Sequence, residues 1–349
     1  MSNCFLISEK KVKQNIQRIA DKASENKVVL RPHFKTHQNL HIASFFKDYG
    51  ISAITVSSVK MAKFFAAAGW KDIFIAFPLD VNEMDEIDHL ASQINLIVLI
   101  NHPDHIQALH RLNNDVDFMI EIDAGYHRSG VEVIDYEEVM GLIKSSYETQ
   151  HAVFMGLMAH FGNTYISRTK QQILGIAYKS VNRIADLAAK VERETGQFVY
   201  VSIGDTPSIS VLNQFDRIDE LRPGNFVFYD LMQLQIGSCE LNDIAALMQC
   251  SVVAINPKRH ELVIHGGAVH FSKESLDFMG VKTYGHIVKT DVGNNTFTGD
   301  YISSLSQEHG IVQCNEANFN EYKIGDKLLI IPVHSCLTAN LMKESTRIV

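Results

Sequence analysis

The chain has 349 residues, of which 46% are apolar and 21% are charged, a balance typical of a globular protein with a sizeable core. This composition excludes a disordered chain, and the 20 glycines and 7 prolines exclude a collagen-like or linker-rich architecture. The 40 acidic residues outnumber the 32 basic ones and no basic cluster occurs, so we expect no nucleic-acid partner.

The five cysteines are sparse and odd in number, which favours reduced thiols over a disulfide framework. The first residues, MSNCFLISEKKVKQNI, lack the apolar segment and cleavage pattern of a signal peptide. The longest apolar run, residues 94–100, is far shorter than the ~20 residues that span a bilayer. We therefore expect a soluble, cytoplasmic protein with no membrane partner.

Eight short runs rich in Val, Ile and Phe predict strands that are buried on both faces, as in a parallel sheet. They are residues 28–30, 51–56, 73–77, 94–100, 116–122, 153–158, 199–203 and 221–227. Helical patterns lie between them, at residues 11–26, 59–68 and 171–194; Ser57 and Ser58 precede the second as caps, and Gly69 ends it. This alternation predicts a (β/α)8 barrel over residues 10–240. The alternative is a doubly wound open sheet, although no GxGxxG follows the first strand.

The pattern changes after about residue 240. Short apolar runs at 248–255, 262–265, 285–289 and 327–331 are separated by turns such as NPKRH and GNN, without a long helical pattern between them. They predict an antiparallel β domain over residues 241–349, to which we also assign residues 1–9.

The segment RPHFKTH places Lys35 where the first predicted strand ends. Chemistry in (β/α)8 barrels occurs at the C-terminal ends of the strands. A partly desolvated lysine near other cations can act as an amine nucleophile that forms a Schiff base. The alternative is an exposed lysine at a strand end.

The segments VSIGDTP and RPGNF follow the seventh and eighth predicted strands, where barrels commonly bind phosphate. Gly204 and Gly224 let the backbone approach an anion, and Thr206 and Asn225 supply further donors. The alternative is two ordinary Gly/Pro turns.

Two more strand ends carry polar side chains. Arg128, in IDAGYHRSG, has the planar fork that suits an oxygen anion; pairing with Asp123 is the alternative, and both can hold at once. His160, in GLMAHFGNTY, ends the sixth strand, where it either faces the barrel mouth or is a satisfied core histidine.

His334 and Cys336, in IPVHSC, are two residues apart, which on a strand would place both on one face. Imidazole and thiolate together suit Zn²⁺, and two protein ligands leave the open positions that a catalytic metal needs. The alternative is two packed side chains. Glu308 and His309 are outer partners of this site, a further ligand or base, or a solvated turn.

Together these segments resemble the D-serine dehydratase and D-threonine aldolase family of pyridoxal-phosphate enzymes. The segments that carry the resemblance are RPHFKTH, IDAGYHRSGV, GLMAHFGNTY, VSIGDTPS, ELRPGNFVFYD, GGAVHFSKE, SQEHG and IPVHSCLTANL. The resemblance implies the alanine racemase-like fold, a barrel followed by a C-terminal β domain. It also implies a homodimer with the active site near the interface.

The resemblance implies roles for particular residues. Lys35 matches the Schiff-base lysine, and Arg128, His160 and Tyr165 match positions near the cofactor ring. The phosphate-binding positions are Gly204, Thr206, Gly224 and Asn225. Arg222 matches a family arginine to which we assign no contact.

His334 and Cys336 match the zinc ligands of the dehydratase branch, with Mn²⁺ as the alternative metal. Members of the aldolase branch tend to carry aspartate at the second ligand position, so Cys336 favours the dehydratase. The chain departs from the family at Gln38, where a lysine is common, and at Val333, where an asparagine is common.

The implied reaction is β-elimination of water from a β-hydroxy D-amino acid, which gives a 2-keto acid and ammonia. Zinc assists the departure of the hydroxyl group. The alternatives are a metal-dependent D-threonine aldolase, an amino-acid racemase and a non-catalytic pyridoxal-phosphate carrier. A racemase would need a second acid or base, for which the β domain offers no clear candidate.

Overall fold

The computed structural model describes residues 3–291 and 293–349, which form two compact units: residues 18–224, and residues 3–17 together with 225–349. The strands are β1 (Cys4–Ile7), β2 (Val29–Leu30), β3 (Ala53–Val56), β4 (Asp72–Pro78), β5 (Asn95–Ile100), β6 (Val116–Asp123), β7 (Val131–Glu132), β8 (Ala152–His160), β9 (Tyr200–Gly204), β10 (Glu220–Leu221), β11 (Ala246–Asn256), β12 (Glu261–His265), β13 (Leu276–Phe278), β14 (Val281–Thr283), β15 (Gly285–Asp291), β16 (Asn294–Leu305), β17 (His309–Gln313), β18 (Lys327–Pro332) and β19 (Thr346–Ile348).

The α-helices are α1 (Glu9–Glu25), α2 (Leu40–Lys47), α3 (Val59–Ala67), α4 (Met84–Ala91), α5 (Pro103–Leu109), α6 (Tyr136–Ser146), α7 (Lys170–Thr195), α8 (Thr206–Val211), α9 (Leu231–Ile236), α10 (Ala268–Phe271), α11 (Glu316–Phe319) and α12 (Ser335–Leu341). Within the described part of the chain, none of these helices is long and apolar enough to cross a membrane.

The first unit is a parallel barrel. Its strands follow the order β2, β10, β9, β8, β6, β5, β4 and β3, and a bridge between His33 and Thr55 joins the two end strands. The predicted (β/α)8 barrel is thereby confirmed. Four neighbouring strands contribute the buried cluster Phe74, Ile97, Leu99, Met119 and Met158. Because all eight strands are parallel, their C-terminal ends meet at one rim, and this rim presents the predicted site loops.

Local signals fix the helices where the sequence predicts them. The Ser58 hydroxyl accepts a hydrogen bond from the backbone N–H of Met61 at 3.2 Å, which caps α3. Gly69, with φ of +88°, follows the end of this helix. The α7 pattern, predicted over residues 171–194, is observed over Lys170–Thr195.

The eighth predicted strand is wrong in extent. Residues 221–227 were expected to form one strand, whereas β10 ends at Leu221 and Asn225–Val227 form a 3-10 turn. Pro223 lacks a backbone N–H and cannot continue a ladder, so its carbonyl instead accepts from the N–H of His33 at 2.8 Å.

The second unit is the predicted β domain. Strand β11 pairs with both β12 and β18, so β11, β12, β17, β16, β15 and β18 form a closed antiparallel ring. β1 adds to β11 antiparallel, and β19 adds to β1 parallel. The sequence did not predict β16 and β17, because β16 is polar and its pairing shifts register at bulges.

Candidate active site

Lys35 lies in a turn that follows β2, and its neighbour Phe34 anchors this turn. The Phe34 ring is buried. Its centroid lies 4.5–5.0 Å from the ring centroids of His37, Phe46, Phe65 and Trp70. Its backbone N–H donates to the carbonyl of Thr55 at 2.8 Å. Lys35 itself is exposed rather than partly desolvated as expected. Phe34 thus fixes the turn, and the turn carries the exposed Lys35 side chain.

Two imidazoles near Lys35 are kept neutral. Burial, together with the positive charges of Lys35 and Arg128, lowers the pKa of His160 to about 3. Burial and the Lys35 charge likewise hold the pKa of His33 well below its usual value. Nδ1 of His160 is hydrogen-bonded to the Gly204 carbonyl, which fixes the ring as an Nδ1–H donor. His160 therefore combines both readings of the sequence: it ends β8 at the rim and is a satisfied, buried histidine.

Aromatic rings surround His160. The Tyr126 ring lies 5.7 Å from it in an edge-on arrangement, and the Tyr165 ring lies 6.4 Å from it. Gly162 makes room for Tyr126, because a Cβ atom there would lie 2.3 Å from the tyrosine ring. Tyr126 was not assigned a role from the sequence, although it belongs to the motif that carries Arg128.

The Arg128 guanidinium lies 5.3 Å from the centre of the Tyr126 ring. In the part of the chain that the structure describes, the Asp123 carboxylate does not pair with Arg128. It accepts hydrogen bonds from the backbone N–H groups of Gly125 and Tyr126, at 2.7 and 2.8 Å. Among the described residues, Arg128 forms no salt bridge with Asp123, so the alternative of a paired arginine is not observed.

The loop after β9 has the features of an anion site. The hydroxyl groups of Thr206 and Ser208 are buried. The Thr206 hydroxyl has no hydrogen-bond partner in the described structure, whereas the Ser208 side chain is hydrogen-bonded to the Asp205 carboxyl. A buried hydroxyl without a partner costs free energy of folding, so a ligand that accepts a hydrogen bond from it would stabilise the loop. Asp205 caps the α8 helix through the Ser208 N–H at 2.7 Å, and burial raises the pKa of this carboxyl to about 6.

Glycine is required at both predicted anion loops by close approach. A Cβ atom at Gly204 would lie 3.0 Å from the Arg222 carbonyl oxygen. One at Gly224 would lie 2.9 Å from the Thr36 hydroxyl and 3.1 Å from the His33 carbonyl oxygen. The Gly224 turn therefore packs directly against the turn that carries Lys35.

Arg222 is buried in the barrel wall. Its guanidinium donates to the Ser202 hydroxyl at 2.6 Å and to the Ala159 carbonyl at 3.0 Å. Burial lowers the pKa of Arg222 to about 10, although the Glu220 carboxylate opposes this shift. The structure thus supplies the protein contacts that the sequence left unassigned.

His334 and Cys336 come together in the second unit, but not on a strand as expected. β18 ends at Pro332, His334 precedes α12, and Cys336 lies in the first turn of that helix. The His334 imidazole is hydrogen-bonded to the Cys336 thiol and, through Nδ1, to a Glu274 carboxylate oxygen at 2.6 Å. Burial would lower the pKa of His334, but these two hydrogen bonds raise it well above its usual value.

This donor set fits a metal ion. An imidazole and a thiol that face one another are the ligand types that zinc prefers. A carboxylate on the second ring nitrogen is the usual outer partner of a metal-bound histidine, because it fixes the tautomer and ring orientation. Glu274 lies 60 residues before His334, so no sequence spacing indicated this contact.

Asn225 contacts the same helix start. Its side-chain amide donates to Asp230 at 2.7 Å, to Ser335 at 3.1 Å and to the Cys336 sulfur at 3.3 Å. These contacts support the thiol; the phosphate role of Asn225 stays a prediction.

Glu308 forms part of another cluster, with His265 and His270. A Glu308 carboxylate oxygen lies 3.6 Å from Nε2 of His265, and His270 completes a group whose potential ligand atoms lie within 4.8 Å of one another. Nδ1 of His270 accepts the Gly267 backbone N–H at 3.1 Å. His309 begins β17, opposite His265. Glu308 and His309 are both exposed, and the choice among the alternatives given for them stays open.

Comparison with known proteins identifies the family. The alanine racemase N-terminal domain matches residues 7–231, and a serine dehydratase domain matches residues 245–347. A D-serine dehydratase of Dictyostelium discoideum is 30% identical over 370 aligned positions, which cover 98% of this chain and 91% of the relative. The chain belongs to the D-serine dehydratase family. It is an enzyme of the lyase class, and its family depends on pyridoxal phosphate, as predicted.

Solved structures agree with the fold expected of this family. D-threo-3-hydroxyaspartate dehydratase from Delftia sp. HT23 is 26% identical with a TM-score of 0.90, over 98% of this chain and 92% of that one. A cysteine-to-alanine variant of a D-threo-3-hydroxyaspartate dehydratase, solved in the metal-free form, is 25% identical, also with a TM-score of 0.90 and the same coverage. The alanine racemase-like fold is therefore confirmed.

Proposed function

We propose that the chain is a pyridoxal-phosphate- and zinc-dependent lyase that eliminates water from a β-hydroxy D-amino acid. The observation that carries the proposal is the contact between the His334 imidazole and the Cys336 thiol. Hydroxide is a poor leaving group, so its elimination needs assistance, which a zinc ion on these two ligands would supply. The related dehydratase was solved as a cysteine-to-alanine variant described as the metal-free form, which supports a metal in this family and hence in the present chain.

The cofactor would be held by the barrel rim. Lys35 would carry it covalently, Arg128, His160 and Tyr165 would flank its ring, and the loops at Gly204, Thr206, Gly224 and Asn225 would bind its phosphate. The unpartnered hydroxyl of Thr206 fits a phosphate oxygen. Bound pyridoxal phosphate withdraws electrons from the substrate α-carbon and thereby acidifies the α-hydrogen.

The residues of the chain itself carry out the proton transfer at the substrate α-carbon. The Lys35 amine removes the α-proton as a general base. His160, held neutral by burial and nearby cations, adds no second positive charge beside this amine. His334 and Cys336 would hold Zn²⁺, with Mn²⁺ as the alternative, and the ion would supply Lewis-acid assistance to the departure of the substrate hydroxyl. The proton that Lys35 takes from the α-carbon and the hydroxide lost from the β-carbon together make up the one water eliminated. Hydrolysis of the resulting enamine releases ammonia and a 2-keto acid, which is pyruvate when the substrate is D-serine.

Product analysis tests the reaction type. Purified protein incubated with D-serine, D-threonine and D-threo-3-hydroxyaspartate should release 2-keto acid and ammonia, and a chelator should suppress this release. Glycine and an aldehyde from D-threonine would instead indicate the aldolase, which a partial match to an Arthrobacter D-threonine aldolase keeps as the second candidate. Chelator-resistant formation of L-serine would indicate a racemase. Bound cofactor without any turnover would indicate a carrier.

Glu274→Gln should weaken metal binding while leaving both protein ligands in place. The neutral amide cannot match the carboxylate that orients His334, and loss of such an outer partner typically costs about 10- to 100-fold in metal affinity. Competition with a chelator measures this affinity directly. Glu316→Gln, at an exposed glutamate of the same unit, is the control. Unchanged zinc affinity in Glu274→Gln would remove the role assigned to Glu274.

The homodimer stays a prediction. Light scattering tests it by measuring the mass in solution, which should be that of two chains.

A further inference from the structure

Lys22 of α1 is hydrogen-bonded to the C-terminal end of α8, the short helix that follows the β9 loop; we call this contact the Lys22 clamp. The Lys22 ammonium donates to the carbonyl oxygens of Ile209 at 3.0 Å, Ser210 at 2.8 Å and Leu212 at 2.7 Å. These carbonyls lie at the C-terminal end of α8, where helix carbonyls lack partners within the helix. One side chain thus satisfies three acceptors that water would otherwise have to solvate.

The clamp is electrostatically favourable. The C-terminal end of a helix carries partial negative charge, and a cation there is stabilising. Burial and the neighbouring Arg18 lower the pKa of Lys22 to about 8, so the amine stays mostly charged at neutral pH. Hydrogen bonds from charged donors are roughly twice as strong as neutral ones. The contact is therefore stronger than an ordinary turn hydrogen bond.

Asn26, the residue that follows α1, adds a second point of attachment. Its side-chain amide donates to the Asn213 carbonyl at 3.1 Å and accepts the backbone N–H of Phe215 at 3.2 Å. The segment from Ile209 to Phe215 is thus bound to the end of α1 at two points.

The opposite end of α8 carries the hydroxyls of Thr206, which has no partner in the described structure, and of Ser208, which is beside the Asp205 carboxyl. The helix has only six residues, which is about 9 Å of rise, so a displacement of its C-terminal end moves these hydroxyls as well. Lys22 contacts neither hydroxyl, and its hydrogen bonds lie at the opposite end of the helix that bears them.

We propose that Lys22 is a positioning residue for cofactor phosphate: it fixes α8 so that the Thr206 hydroxyl stays directed at a phosphate oxygen. This inference rests on the proposed binding of pyridoxal phosphate.

The test compares two ligands that differ only in the phosphate. Dissociation constants for pyridoxal phosphate and for pyridoxal are measured by absorbance titration of wild-type protein, Lys22→Met and Lys22→Arg. Methionine keeps the apolar stem and removes the donors. Lys22→Met should bind pyridoxal phosphate about tenfold more weakly, a typical coupling between sites, and pyridoxal with unchanged affinity. Lys22→Arg, which keeps the charge, should fall between the two. Lys10→Met, at an exposed lysine of the same helix, is the control.

Equal losses for both ligands would show that Lys22 only stabilises the barrel, and would overturn the inference. Unchanged affinity for pyridoxal phosphate would overturn it too. If Lys22→Met fails to fold in a thermal unfolding scan, Lys22→Gln, which keeps one donor group, takes its place. It is judged by the same ratio, that of the dissociation constants for pyridoxal phosphate and pyridoxal. Wild-type protein that binds neither ligand would overturn the proposed function and this inference together, whereas wild-type binding with an unchanged ratio in the variants overturns the inference alone.

Discussion

Lys35→Ala should lose both the visible absorption band of covalently held cofactor and nearly all turnover of D-serine. Two roles disappear with the amine, namely the covalent attachment and the general base. General-base catalysis alone contributes about 10²- to 10⁴-fold, so we expect turnover to fall by at least about 10³-fold. Absorbance spectra and a pyruvate assay measure the two losses separately.

The control for this variant is Lys60→Ala, at an exposed lysine on α3 of the same unit. It should keep the spectrum and the turnover of the wild type. The unfolding temperature of Lys35→Ala should stay close to that of the wild type, because the exposed side chain contributes little to the core and Phe34 still anchors the turn. Turnover within tenfold of the wild type in Lys35→Ala would contradict the assignment of the base.

Cys336→Ala should keep the cofactor and lose the metal together with β-elimination. Its thiol is one of only two proposed protein ligands, so its removal leaves His334 alone, which is too few for a stable zinc site. Loss of a Lewis acid worth several kcal/mol should lower keto-acid formation by about 10³-fold. Metal content by plasma emission spectrometry and pyruvate release measure the effect.

A second thiol of the same unit provides the comparison. Cys314 is buried, and burial raises the pKa of its thiol to about 12, which disfavours the thiolate form that binds a metal. Cys314→Ala should therefore retain zinc and turnover. Full zinc content in Cys336→Ala would remove Cys336 from the metal site, and undiminished turnover without zinc would remove the metal from the mechanism.

The barrel was predictable because its strands are short, apolar on both faces and separated by capped helices. The burial of every residue of β3 is the clearest case, since such a run has no solvent-facing side to obscure it. The errors have local causes. The eighth run was extended through Pro223, which ends the ladder, and β16 was missed because its bulges and polar residues remove the alternation.

The site was predictable where chemistry follows strand ends, since parallel strands bring their C-terminal residues together whatever their separation in sequence. Lys35, His160 and Gly204 were found in this way. Glu274 and Lys22 were not found, because each acts on a residue far along the chain through side-chain geometry alone. The two-residue spacing of His334 and Cys336 indicated proximity correctly but assumed a strand, whereas the helix start of α12 brings them together.

Identifying the lysine that carries the cofactor tests the central claim most directly. Protein loaded with pyridoxal phosphate is reduced with borohydride, digested, and mapped by mass spectrometry. We predict a single stable pyridoxyl adduct, on the peptide that contains Lys35. An adduct on a different lysine, or none in a protein that nevertheless eliminates water from D-serine, would contradict the account.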